Sequence, residues 1–223
     1  KNSEKIIMIG NRDIQNLHIV NHPLVLHKLS HLRNESTPTS TFRALLREIA
    51  LLIGYEITRE LEMAEHTVQT PVAKTIAPVL KGKKPAIVPI LRAGLGMAEG
   101  LEELLPTAPI GHIGLYRDPN TQRPVEYYVR LPENKDRVFI LVDPMLATGY
   151  SASYAVDMLN KYNIPDERIK FMAMVAAPEG MDAFNKRHSN VQVWAAALDE
   201  KLNDKAYIVP GLGDAGDRLF GTL

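Results

Sequence analysis

Short apolar runs alternate along the chain with stretches whose apolar residues recur every three or four positions, and from residue 85 the alternation is regular. Pro85-Ala-Ile-Val-Pro-Ile-Leu91 is long enough for one buried strand, and Met97 to Leu105 then reads as a helix. Ile110 to Tyr116 and Val138 to Val142 are further strands, and Ala152 to Tyr162 carries the helical period again. Arg168 to Ala176, a helix over Met181 to Arg187, and Val191 to Leu198 with Trp194 as packing complete the series. Continuous apolar strands separated by helices predict an α/β fold with a mostly parallel sheet flanked by helices, because parallel strands are covered on both faces and need crossover connections. Between two of these strands the pattern changes. Arg117-Asp-Pro-Asn-Thr-Gln-Arg-Pro124 is polar and rich in turn residues, and Val125 to Leu131 alternates, which predicts a protruding β-hairpin suited to clamping a second subunit.

Upstream, Ile14 to Val20 reads as a short strand. Asn21-His-Pro23 reads as a helix start, with proline at an early position and Leu24, Leu26, Leu29 and Leu32 following. His18, His22, His27 and His31 include two i,i+4 pairs able to ligate a metal on a helix. No catalytic glutamate intervenes, however, and solvated helix-face histidines account for them better. Behind the polar cap Ser36 to Thr41, the positions Phe42, Leu45, Leu46, Ile49, Leu52 and Ile53 predict an amphipathic helix to about Leu61, its stripe serving the core or a subunit interface. His66 to Val72 and Thr75 to Leu80 are two short β-like runs broken by Pro71 and Pro78, and Lys81 to Lys84 is a turn.

Composition narrows the function classes. The 223 residues fit one domain with a sizeable core. Basic and acidic residues balance at 26 each, so no nucleic-acid partner is expected; an RNA-binding regulator would need a basic face. The absence of cysteine excludes disulfides, thiol nucleophiles and cysteine-based zinc sites, and suits a cytoplasmic protein. No apolar run approaches the ~20 residues of a membrane helix, so no membrane association is expected. Lys1 to Gly10 is too short and too charged for a signal peptide.

Candidate chemistry gathers where strands end. After Val138 to Val142, Asp143-Pro144 stops the strand, and Thr148, Gly149 and Ser151 lead into a helix. A strand, a small-residue loop and a helix N-terminus form an anion site, because free backbone N–H groups converge where the helix dipole is positive. Asp143 is placed for a ribose hydroxyl or a metal. The strand ending at Leu91 leads into Arg92-Ala-Gly-Leu-Gly96. Gly94-x-Gly96-x-x-x-Gly100 is one residue too long for a dinucleotide fingerprint, and Arg92 stands where that fingerprint needs no cation. A cation beside converging amides suits a pyrophosphate, and Arg117 at the hairpin base can lean over an anion too. In the tail, Gly211-Leu-Gly-Asp-Ala-Gly216 matches G-x-G-x-x-G, but only seven residues follow and no βαβ unit fits. Its exposed backbone can instead read the edge of a flat polar ligand.

Four stretches together strongly resemble the uracil phosphoribosyltransferase family. They are Pro89-Ile-Leu-Arg-Ala-Gly-Leu-Gly96, Val142-Asp-Pro-Met-Leu-Ala-Thr-Gly149, Ala176-Ala-Pro-Glu-Gly180 and Tyr207-Ile-Val-Pro-Gly-Leu-Gly-Asp-Ala-Gly-Asp217, and the likeness runs from about Asn21 to Thr222. The resemblance implies a type I phosphoribosyltransferase fold in a single domain over residues 1–223, with a core over about 82–198 and a hood built from the chain termini. It implies transfer of the phosphoribosyl group of 5-phosphoribosyl 1-pyrophosphate (PRPP) to uracil, giving UMP and pyrophosphate. It assigns PRPP to Arg92, Arg117, Asp143, Pro144, Met145, Leu146, Ala147, Thr148, Gly149, Tyr150, Ser151 and Asp214. Uracil falls to Ile208, Gly213, Asp214 and Ala215, and the catalytic weight to Asp143, Arg92 and Asp214. Mg²⁺ travels with the pyrophosphate rather than on a direct protein site, and a homodimer or larger homo-oligomer is expected. Whether GTP or another nucleotide binds as a regulator is left open.

Two residues depart from the wider pattern. Asp143 is followed by Pro144 where many phosphoribosyltransferases carry a second acid, as in the uracil branch. Tyr150 stands where the loop customarily has another small residue. Tyrosine does not take positive φ cheaply, so either that position is not left-handed or the loop is remodelled.

Overall fold

In the computed structural model, which describes residues 7–9, 12–14, 16–118, 123–134 and 136–222, three short strands come first: β1 (Ile7–Ile9), β2 (Arg12–Ile14) and β3 (Leu17–Ile19). Two helices follow, α1 (Pro23–Arg33) and α2 (Thr39–Ile57). Pro23 opens α1 at a position whose N–H has no partner to lose, and His22 Nδ1 caps it by accepting from Leu24 N–H at 3.2 Å. Next is a hairpin of β4 (Met63–Gln69) and β5 (Lys74–Leu80). The alternating core then runs β6 (Ala86–Leu91), α3 (Leu95–Leu104), β7 (His112–Arg117), β8 (Pro124–Arg130), β9 (Phe139–Val142), β10 (Met145–Leu146) and α4 (Tyr150–Lys161). It closes with β11 (Ile169–Ala176), α5 (Pro178–His188) and β12 (Gln192–Leu198), and the tail forms β13 (Lys201–Leu202), β14 (Ile208–Val209) and α6 (Ala215–Phe220).

The sheet order is β3-β12-β11-β9-β6-β7-β8, with β10 added on β11. Every pairing is parallel except β7 with β8. Neighbouring residues of β9 face opposite ways, as a strand period of two requires. Ile140 and Val142 pack with Phe42, Ile49, Met97 and Leu219 from α2, α3 and α6, whereas Phe139 and Leu141 pack with Val156, Leu159 and Phe184 from α4 and α5. The sheet is thus flanked on both faces, as its apolar strands demand. The α2 stripe is spent inside the chain: Phe42, Leu46, Ile49 and Ile53 are fully buried.

The glycines after β6 have a packing explanation. A Cβ on Gly100 would run into the Arg47 backbone carbonyl of α2, and one on Gly96 would meet Leu46 Cδ2 at 2.8 Å. They let α3 lie tightly against α2, so packing alone accounts for them.

The expected hairpin pairs His112 with Arg130 through to Arg117 with Pro124, so its ladder runs into both ends of the stretch read as turn, and it forms one edge of the main sheet. Its tip, residues 119–122, lies outside the described residues. The two β-like runs upstream form a second hairpin, with seven pairs from Met63↔Leu80 to Gln69↔Lys74. Thr70 Oγ1 ties its turn by accepting from Val72 and Ala73 N–H at 3.2 and 3.0 Å. Pro78 is tolerated in β5 because both strands of a two-stranded ribbon are edges.

The four histidines do not assemble. His18 stacks on Trp194 with ring centroids 4.3 Å apart, and His27 meets His31 edge to face on the exposed side of α1. No group of three or more metal-ligating side chains occurs among the described residues.

Candidate active site

Parallel strands send their connecting loops out at the carboxyl edge, and ligands of such sheets bind there. Along that edge lies a cleft of about 450 Å³ with three walls.

The first wall is the loop between β9 and α4. Asp143 follows β9 directly, its N–H donating to Met172 C=O at 3.1 Å and its Oδ1 accepting from Met145 N–H at 3.4 Å. The loop then lies across the end of β11. Pro144 C=O accepts from Met174 and Val175 N–H at 3.0 and 3.2 Å, and Leu146 C=O accepts from Ala177 N–H at 2.9 Å. Gly149 has φ +79° and sits as the cap residue before α4. A Cβ there would approach Gly180 C=O to 2.5 Å, while a Cβ on Gly180 would come to 2.6 Å from Leu146 C=O. Loop and α5 therefore interlock backbone against backbone at two glycines, which is why the Ala176 to Gly180 stretch matters to a site it does not line. Asp143, Met145, Leu146, Ala147, Thr148, Gly149 and Ser151 line the cleft. Pro144 is buried beneath it, and Tyr150 is 60% exposed outside it.

The Tyr150 question has a clear outcome. The positive φ falls on Gly149, and Tyr150 is the first residue of α4, in ordinary helical conformation. The position is not left-handed, and the tyrosine side chain is exposed and does not line the cleft.

The second wall is the turn after β6. The Leu91–Arg92 peptide is cis. A Cβ on Gly94 would lie 2.5 Å from Val142 C=O and 2.7 Å from Ile90 C=O, so only glycine lets the turn cross the ends of β6 and β9. Arg92 lines the cleft, and its guanidinium lies over the Phe220 ring of α6 at 5.2 Å, a cation–π contact that holds the exposed side chain. Arg117 ends β7, and its side chain lies outside the described part of the structure; Leu115 and Tyr116 beside it line the cleft.

The third wall is the tail. Ile208, Gly213, Asp214 and Ala215 line it. The Val209–Pro210 peptide is cis, and Gly211 and Gly213 take φ +61° and +78°. Asp214 caps α6, its Oδ1 accepting from Asp217 N–H at 2.9 Å. Arg218 donates to Leu212 C=O at 2.8 Å and stacks over Phe42 at 4.4 Å; burial there pulls its guanidinium below the ordinary pKa. Tyr207, which opens the tail stretch, lines this wall, and so do Lys205 and Ala206, which were not anticipated. Their placement comes from Asn203 Oδ1, which accepts from both Lys205 and Tyr207 N–H at 3.0 Å. An Asn directly after β13 is a turn signal that could have pointed to them.

Comparison with known proteins agrees with this architecture. The family profile described as UPRTase, uracil phosphoribosyltransferase, matches residues 19–222. Uracil phosphoribosyltransferases of Ralstonia pickettii and Burkholderia pseudomallei are each 60% identical over 207 residues, covering 93% of this chain and 95% of theirs. The solved structure of the AQ2163 protein of Aquifex aeolicus superposes with a TM-score of 0.86 at 35% identity, covering 92% of this chain and 97% of its own. Adenine phosphoribosyltransferase of Trypanosoma brucei shares the fold alone, with a TM-score of 0.55 at 13% identity over 89% of this chain and 88% of its own. A type I phosphoribosyltransferase sheet, a three-walled cleft at its carboxyl edge and relatives at this identity leave one assignment: the chain belongs to the uracil phosphoribosyltransferase family.

Proposed function

We propose that the chain transfers the phosphoribosyl group of PRPP to uracil, giving UMP and pyrophosphate, and that the three walls divide the work. One observation carries this reading. A single cleft brings together the Arg92 turn, the Asp143–Ser151 loop and the Ile208–Ala215 loop, which stand 51 and 57 residues apart in sequence from Arg92 to Asp143 and from Ser151 to Ile208. The Asp143–Ser151 loop cradles the ribose and 5′-phosphate with its backbone N–H groups at the start of α4. Arg92 and Arg117 take the pyrophosphate, and the backbone around Ile208 and Gly213 reads uracil.

Displacement at the anomeric carbon develops positive charge on the ribosyl ring and negative charge on the departing pyrophosphate. Asp143 faces the first and Arg92 the second, so electrostatics and positioning carry the reaction with no covalent nucleophile. Asp214 caps α6 and lines the cleft together, which makes it the carboxylate available to uracil N1 or to the sugar. Cytosine exchanges a donor for an acceptor at the base edge and leaves buried backbone groups unpaired, a difference a hydrogen-bonding site rejects strongly. The donor set fits Mg²⁺ held chiefly by substrate. Asp143 and Asp214 are the cleft's carboxylates, no three-ligand cluster exists among the described residues, and Mg²⁺ commonly keeps substrate phosphates among its ligands. When bound, the ion offsets charge on the pyrophosphate.

The whole chain, as one domain in the cytoplasm, works as a homodimer or larger assembly. The β4–β5 hairpin supports this: its strands pack chiefly on each other and expose Met63, Ile76, Val79 and Leu80, whereas a lone two-stranded hairpin is marginal in water. Sedimentation showing only monomer at micromolar concentration removes the assembly. Pyrophosphate release with uracil, cytosine and hypoxanthine in turn tests the activity; turnover with uracil alone is expected, and turnover with hypoxanthine but not uracil overturns the reading.

A further inference from the structure

The loop from Ile208 to Ala215 is held from behind by residues that do not line the cleft. Arg33, the last residue of α1, forms a two-pronged ion pair with Asp199, Nη1 to Oδ2 at 2.7 Å and Nη2 to Oδ1 at 2.5 Å. The same Nη1 donates to Gly211 C=O at 2.7 Å, and the same Oδ2 accepts from Gly211 N–H at 2.9 Å. One ion pair therefore fixes both polar groups of one glycine. Asp199 is itself anchored to the sheet: it follows β12, its N–H donates to Ala176 C=O at 2.8 Å, and its side chain is 4% exposed.

Gly211 is the pivot of the loop. Its φ of +61° and the collision a Cβ would make with Ile208 C=O show the chain doubling back on itself there. Ile208 and Gly213 line the cleft on either side of that reversal, so the place where Gly211 is pinned sets their spacing. The next peptide is pinned from the same direction. Leu212 C=O accepts from Arg218, whose Nη2 donates at 2.6 Å to the carbonyl of Asn34, the residue after Arg33.

A buried ion pair adds little net stability, since replacing one with apolar groups is often neutral or better. What a guanidinium–carboxylate fork supplies is direction, and lysine cannot reproduce it. We propose that Arg33 and Asp199 are positioning residues for base recognition, setting through Gly211 the distance between the backbone groups that read uracil. This rests on the assignment of Ile208 to Ala215 as the base loop.

The test is steady-state kinetics on the full chain with Arg33→Lys, Asp199→Asn and, inside the loop, Gly213→Ala, alongside thermal melts. Arg33→Lys and Asp199→Asn are expected to raise KM for uracil about tenfold, the equivalent of about 1.4 kcal/mol, and to narrow the preference for uracil over cytosine. KM for PRPP should stay within about threefold of wild type. A lowered Tm with both KM values unchanged makes the pair merely structural and overturns the proposal. If Gly213→Ala raises KM for uracil while the pair variants do not, the positioning role also fails. If Gly213→Ala leaves it unchanged, the base-loop assignment is what fails. Should Asp199→Asn not fold, Arg33→Lys, with a side chain 23% exposed, carries the same test; failure of both to fold also overturns the proposal.

Discussion

Replacing Gly149 by alanine probes the phosphate loop where backbone meets backbone. The residue holds φ +79°, and its new Cβ would stand 2.5 Å from Gly180 C=O, 3.3 Å from Phe184 N and 3.4 Å from Ala183 Cβ. Left-handed backbone costs a non-glycine residue about 1–2 kcal/mol. Forcing a methyl into a filled space adds about 1–3 kcal/mol, because the obstacle is a helix backbone and not the end of a flexible side chain. The sum is about 2–5 kcal/mol, and at about 2–4 °C per kcal/mol for a chain of this size it lowers Tm by roughly 4–20 °C. Urea unfolding monitored by circular dichroism measures the loss, and KM for PRPP should rise with it, since relief of the clash moves the loop. Tyr150→Ala is the companion: an exposed first-turn side chain with ordinary φ should change stability by less than about 0.5 kcal/mol. Gly149→Ala within about 0.5 kcal/mol of wild type, or Tyr150→Ala costing as much as Gly149→Ala, would refute the argument.

Asp143→Asn should abolish turnover while leaving the thermal transition nearly unchanged, since asparagine Oδ1 can still accept from Met145 N–H; retained turnover removes Asp143 from its role. Burial pulls the Lys170 ammonium below its ordinary pKa, while Gln192 accepts a hydrogen bond from it. As pH climbs through that lowered value, the native state has released a proton that the unfolded chain still binds, so native stability rises with pH up to the ordinary lysine value. Wild type should therefore gain on Lys170→Met in that alkaline window by calorimetry, and a flat difference contradicts it. Chelation with EDTA should stop turnover, restored by excess Mg²⁺, without moving Tm of the substrate-free protein; a fall in Tm would show that the chain binds the ion unaided.

The core was legible because burial on both faces leaves strands as unbroken apolar runs, as in Ala86–Leu91 and, within β11, Phe171 to Ala176. The β4–β5 hairpin was legible only as two short β-like runs with shifted bounds, because its sequence, Met-Ala-Glu-His-Thr-Val-Gln against Lys-Thr-Ile-Ala-Pro-Val-Leu, buries neither face within this chain and so carries no clear alternation. Most of the cleft was readable from loops at strand ends: Arg92, Asp143 and Asp214 all reach it. Tyr150 left two readings open because sequence marks which residues tolerate positive φ, and only backbone geometry shows that Gly149 adopts it there and Tyr150 does not. Lys205 is brought to the wall by a turn between two-residue strands, too short to show a period.

The grip of α1 on the tail bears on how the molecule is made. Arg33 and the Gly211 carbonyl it holds are 178 residues apart. At about 5–20 residues per second of synthesis, Arg33 waits roughly 10–35 s for its second partner. Asp199, the first, arrives only 12 residues sooner. The phosphate loop and its supporting strands are synthesised within that interval, before the base slot exists. Synthesis must therefore reach the final turn before the enzyme has a substrate preference at all.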